Sequence, residues 1–163
     1  MKSGKALLAS AWAGVLLAQM AAAQTPAHAP TPAGDDTLQV SQAWVRGTVE
    51  GQTGSGAFMH LRAGRELVLV GAHSAAADRV ELHEMLEQDG RMHMRRIDAL
   101  PLPATREVAL DHAHHLMLIG LHGTLQAGQK FPLVLELRDS GGHRLQRSLS
   151  LPIQPLGALG PPR

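Results

Sequence analysis

The 163 residues of this chain suit one domain, and 44% hydrophobic against 18% charged residues exclude an intrinsically disordered protein. With 15 Lys and Arg against 14 Asp and Glu, and aromatics at 2%, there is neither a basic stripe nor a set of stacking platforms for nucleic acid. Cys is absent, which removes disulfides, thiolate metal ligands and lipid attached at a cysteine.

The chain opens on Lys2 and Lys5, then an apolar run from Ala6 to Ala18, then the small residues Ala21, Ala22 and Ala23. This is the layout of a secretory signal peptide over residues 1–23, cleaved near Gln24, and the run is too short for a confident membrane span. An uncleaved anchor is the alternative. Cleavage removes two Lys and no acid, leaving 13 basic against 14 acidic residues, so the exported chain is near neutral. Residues 24–36, "QTPAHAPTPAGDD", have little to bury and read as a flexible linker. The domain then covers residues 37–154, and residues 155–163, "PLGALGPPR", form a turn-like, frayed tail.

Within the domain, "TLQVSQAWVRG", "GSGAFMHLR", "ELVLVGAHS", "RVELHEML", "RMHMRRI", "REVAL", "HHLMLIGL", "FPLVLELRD" and "HRLQRSLSL" have strand lengths and are separated by turn signals. No stretch holds a 3.6-residue apolar period long enough for a major helix. The fold class predicted is all-β, an antiparallel β-sandwich with a core of Leu, Val, Ile, Ala and Met.

The fourth and fifth strands meet at Asp89-Gly90, a hairpin turn signal because Gly accepts the positive φ such turns require. Centring the turn there pairs His83 with Arg96, Met85 with Met94 and Glu87 with Met92. Side chains alternate between faces, so His83, Met85, Met92 and Met94 share one face, and Val80, Leu82, Leu86, His93 and Ile97 share the other, which should be the packed one. His83 then lies diagonal to Met94. The device recurs in "HLM", where His115 and Met117 project together while Leu116 and Leu118 project oppositely. Should the two elements lie side by side, His83, Met94, His115 and Met117 converge as a two-nitrogen, two-sulfur set.

Imidazole is a borderline donor and thioether a soft one, so such a set favours Cu(I) over Zn, Mg or Ca, and blue-copper electron transfer is out of reach without a thiolate. Binding or transfer of the ion fits better than redox shuttling. Met85 and Met92 stand between packing, neighbour and spare ligand, and Met59 reads as core filler. His28, His60, His73, His122 and His143 read as solvated or hydrogen-bonded side chains. "DHAHH" leaves a second reading open, a periplasmic His-rich protein that buffers Zn or Cu(II) through His112, His114 and His115. An enzyme is not expected: there is no Ser or Cys nucleophile motif and no evident carboxylate pair.

These residues resemble the periplasmic copper chaperones of the PCuAC type, whose signature runs H(M)-x10-M-x21-H-x-M. Ten residues separate His83 from Met94, and twenty rather than twenty-one separate Met94 from His115 in "HLM". "VSQAWVR", "TGSGAFMHL", "VELHEM", "HHLMLIGL" and "LQAGQKFPLVLEL" resemble family stretches in order. The chain departs in a short segment after the second strand, "LRAGRELVLVGA", and in ending without a His/Met-rich tail. The resemblance implies a cupredoxin-like Greek-key β-sandwich that binds Cu(I) through His83, Met94, His115 and Met117. It also implies a periplasmic, non-enzymatic role: delivery of copper to the binuclear copper centre of cytochrome c oxidase, with a Sco-type thioredoxin-like partner.

Overall fold

Alternating apolar and polar residues become ten strands in the computed structural model, which describes residues 37–161. They are β1 (Leu38–Arg46), β2 (Gly54–Ala63), β3 (Leu67–His73), β4 (Ala77–Gln88), β5 (Arg91–Arg96), β6 (Leu100–Leu102), β7 (Val108–Leu110), β8 (His114–Leu121), β9 (Lys130–Asp139) and β10 (Arg144–Gln154). The signal peptide expected over residues 1–23 and the linker over residues 24–36 lie outside the described residues. Among the described residues no helix is long and apolar enough to cross a membrane.

The strands run β5-β4-β8-β2-β1-β10-β9-β3-β6, with β7 extending β8 along β2. A further pairing of β3 with β4, at Ala72 and Val80, joins the two ends of this path. Seven strands (β4, β8, β2, β1, β10, β9 and β3) thus close on themselves, and β5, β6 and β7 are appended to them. Closure removes most of the unpaired edge that an open sheet would present. The all-β, Greek-key expectation holds, with two additions. The contact of β1 with β10, at Val45 with Ile153 and Arg46 with Gln154, is parallel. β6 lies outside the nine runs of strand length: Leu100 and Leu102 are buried on either side of Pro101 and pair with β3, which an edge position permits to a proline.

The core follows from the period of two. Leu116 and Leu118 of β8, Ala57, Met59 and Leu61 of β2, and Phe131, Leu133, Leu135 and Leu137 of β9 are all at most 1% exposed. Burying each large side chain contributes about 1.5–3 kcal/mol. Met59 is core filler, as its sequence context indicates. On β1 the alternation breaks. Leu38 and Val45 are both fully buried although they are an odd number of residues apart. A bulge between Ser41 and Trp44, with Gln42 at φ 50°, turns the strand over between them. Its consequence is to present Trp44 and Arg46 outward, on the face where β8 carries His115 and Met117.

The β4–β5 hairpin has the expected register, His83 with Arg96, Met85 with Met94 and Glu87 with Met92. Asp89 and Gly90, at φ 54° and 71°, form its two-residue turn. Only its base is packed. Leu82 is buried, but Leu86 is 40% exposed and all of β5 is exposed, because β4 leaves the closed barrel beyond Glu84 while the hairpin continues outward. The expected packed face therefore ends at Leu82.

Candidate metal centre

Where β4 leaves the barrel, two of the predicted residues, His83 and His115, come opposite one another. β4 and β8 are direct neighbours, and their antiparallel register sets His83 opposite His115 and Glu81 opposite Met117. The two imidazole rings lie 6.0 Å apart between centroids, inclined at 59°. Two imidazoles sharing one ion, with metal–nitrogen bonds on the 2.0–2.1 Å scale of zinc and ring centres about 1 Å behind each nitrogen, have centroids about 5 Å apart at a tetrahedral angle and about 6 Å apart when the nitrogens are nearly opposed. The observed spacing lies at the wide end of that range.

His83 is nearly enclosed, with 12% of its side chain exposed. Its Nε2 lies 2.9 Å from Glu81 Oε2, and its Nδ1 is buried without a hydrogen-bond partner. A buried nitrogen left open in this way costs free energy unless something binds it. His115 faces the Phe58 ring at 6.2 Å. Burial first, then the neighbouring His83, Arg46, His112 and His114, holds its pKa below the ordinary 6.5, which favours the neutral form that can bind a metal.

His115 and Met117 open into a cleft of about 390 Å³, shared with Met85, His112, Arg46 and Phe58. Gly54 and Gly56 of β2 form part of its wall, and Gly56 pairs with Met117. A Cβ on Gly56 would stand 2.8 Å from Phe58 Cζ, so only glycine lets that ring lie back along its own strand. Met94, in contrast, is half exposed on β5; it shares the face through its pairing with Met85 but does not line the cleft. Met85 lines it instead.

The other histidines divide as expected. His60 pairs with Glu107, His73 with Glu136, His122 with Asp78 and His143 with Asp139 on the surface; His28 lies outside the described residues. His114 sits opposite Glu84, with its Nε2 3.9 Å from that carboxylate, and its position next to His115 in a strand turns it to the other face. Accordingly His112, His114 and His115 do not form one group, and among the described residues no three His, Asp or Glu side chains are disposed to hold a metal ion.

Four neighbours of the site escape a reading of the sequence. Trp44 and Phe58 stack at 4.6 Å, and the Arg46 guanidinium lies 5.3 Å from the Phe58 centroid and 5.9 Å from that of Trp44. Glu81 is the fourth. The only available signal was the scarcity of aromatics, since two of the chain's four Phe and Trp residues stand here. In the tail, Leu156 lines the cleft, and Leu159, Gly160 and Pro161 lie beside Trp44.

Comparison with known proteins agrees with this architecture. A family model described as LpqE-like, after a lipoprotein, matches residues 38–147. A relative from Leifsonia xyli subsp. xyli, named as a lipoprotein, Lxx21020, is 33% identical over 143 residues, covering 85% of this chain and 86% of that protein. Among known structures, the copper-bound PCuAC domain from PmoF2 is 20% identical with a TM-score of 0.57, covering 73% of this chain and 93% of that one. The solution structure of CuI-DR1885 from Deinococcus radiodurans is 24% identical with a TM-score of 0.54, covering 80% and 94%. These structures share the fold.

Proposed function

The chain belongs to the LpqE-like family and has the fold of PCuAC domains, and from that premise we propose that it is a copper chaperone that carries Cu(I) between His83 and His115, with Met117 and Met94 as thioether ligands. The observation that carries this is the pair of facing imidazoles, 6.0 Å apart, one with an open buried nitrogen and both sharing a face with methionines. Two neutral nitrogens and two thioethers suit a soft monovalent ion. The separation of His114 from His115 across the strand counts against the Zn or Cu(II) buffer.

In this reading the protein is exported to the periplasm by the segment over residues 1–23 and hands copper to the binuclear copper centre of cytochrome c oxidase, with a Sco-type thioredoxin-like partner. No chemistry is performed on the ion. Transfer is an exchange of ligands: Met94, half exposed on the hairpin, is the ligand an incoming acceptor reaches first. Thiolates on the acceptor bind Cu(I) more strongly than thioethers, so the ion moves down a gradient of affinity. X-ray absorption on the Cu(I)-loaded protein is expected to count two nitrogen and two sulfur neighbours for one copper per chain. A spectrum with only nitrogen or oxygen neighbours contradicts the proposal.

Acid is expected to release the ion. Copper competes with a proton at each imidazole, and the depressed pKa of His115 keeps that ring neutral above 6.5 and somewhat below it. The contribution of His115 to affinity is therefore complete above pH 6.5 and is lost as pH falls below it through the depressed value. The same sign applies to folding: the unfolded chain takes up the His115 proton first, so the stability due to its neutral form is complete above 6.5 and is lost as pH falls through the folded value. A competition titration repeated along a pH series checks the release, and affinity that did not fall between pH 6.5 and pH 4 would contradict it.

A further inference from the structure

We propose that Glu81 is a positioning residue for copper, holding His83 so that it offers the ion its Nδ1 and not its Nε2. The inference rests on the copper reading above and specifies which atom of that site binds.

Glu81 and His83 are two apart on β4 and project from the same face. The two oxygens of Glu81 have separate commitments. Oε1 accepts a hydrogen bond from Arg79 Nε at 2.9 Å and faces the Arg96 guanidinium at 4.0 Å, while Oε2 lies 2.9 Å from His83 Nε2. Arg96 is also the residue directly across the hairpin from His83, so the register of β4 with β5 delivers the second cation to this carboxylate.

A carboxylate between two guanidiniums is an acceptor with no proton to give. Nε2 of His83 must then be the donor. A neutral imidazole carries one N–H, so the lone pair is on Nδ1, and Nδ1 is the atom that the fold buries and leaves without a partner. Three independent features (the carboxylate, the paired arginines and the open nitrogen) thus select one tautomer. A carboxylate on the far N–H also makes the bound nitrogen a better donor.

Cu(I) is diamagnetic, so nitrogen-15 NMR of histidine-labelled full-length protein reads both ring nitrogens with and without the ion. Before loading, His83 is expected to carry its proton on Nε2. On adding one equivalent of Cu(I), the Nδ1 resonance shifts and the Nε2 proton remains. Glu81→Gln keeps an acceptor oxygen and is expected to retain the tautomer and most of the affinity. Glu81→Ala is expected to mix the tautomers and weaken Cu(I) binding about 10–100-fold. A proton on Nδ1 before loading, copper on Nε2, or Glu81→Ala leaving tautomer and affinity unchanged each overturns the proposal. Wild-type protein that binds Cu(I) through Nε2 overturns this inference alone. The copper reading itself falls if His83 and His115 prove indifferent to the ion. The apo tautomer is measured on wild-type protein, so a Glu81→Ala chain that failed to fold would not remove the test.

Discussion

His115→Ala is expected to weaken Cu(I) binding by at least about 100-fold, beyond the roughly 10–100-fold that loss of an outer partner costs a metal site, while leaving the folded barrel in place. His115 projects into the cleft from a strand whose inward residues, Leu116 and Leu118, are fully buried and remain. Its truncation opens the cleft further and removes no core contact. Met117→Ala on the same face should behave alike. The hairpin methionines are expected to separate: Met94→Ala weakens binding, whereas Met85→Ala, although Met85 lines the cleft, has the smaller effect. Chelator competition on purified Cu(I)-loaded variants measures all four. Unchanged affinity in His115→Ala would sink the ligand assignment, and a larger loss for Met85→Ala than for Met94→Ala would move the second sulfur from β5 to β4.

Local chemistry explains which parts of this site are legible in the sequence. Asp89 and Gly90 both adopt the positive φ that a two-residue turn requires, and once that turn is placed the pairing of Met85 with Met94 follows residue by residue. Alternation then separates His115 and Met117 from Leu116 and Leu118 with no knowledge of the rest of the fold. That β8 lies against β4, with His83 opposite His115, is a long-range pairing to which periodicity is blind; two strands with suitable faces can be neighbours or lie on opposite sides of a barrel. The bulge at Gln42 is similarly hidden. Gln is not a residue that announces a positive φ, yet without that turn Trp44 would lie on the opposite face from Phe58. Glu81 is less legible: the turn already sets Arg96 across from His83, but alternation along a strand does not say that Arg79, Arg96 and His83 meet on this one carboxylate.

Leu116→Ala is expected to do the reverse of its neighbour, costing about 2–5 kcal/mol of stability and lowering the melting temperature by roughly 10 °C for a domain of this size, while the folded protein still takes one Cu(I). Leu116 has no exposed surface and is held between Leu82 of β4 and Ala57 of β2, so its truncation leaves a cavity that two bonded neighbouring strands cannot close. Copper supplies the control. An ion that binds only the folded chain stabilises it by about 2.7 kcal/mol at a hundred times its dissociation constant. Adding Cu(I) should therefore raise the melting temperature of Leu116→Ala nearly as much as that of wild type. His115→Ala, starting from a near-normal melting temperature, should gain little. Melting curves of the three proteins with and without the ion test both halves. If Leu116→Ala melted normally, or if copper failed to stabilise it while stabilising wild type, the division of β8 into an inward face that maintains the barrel and an outward face that holds the ion would be wrong.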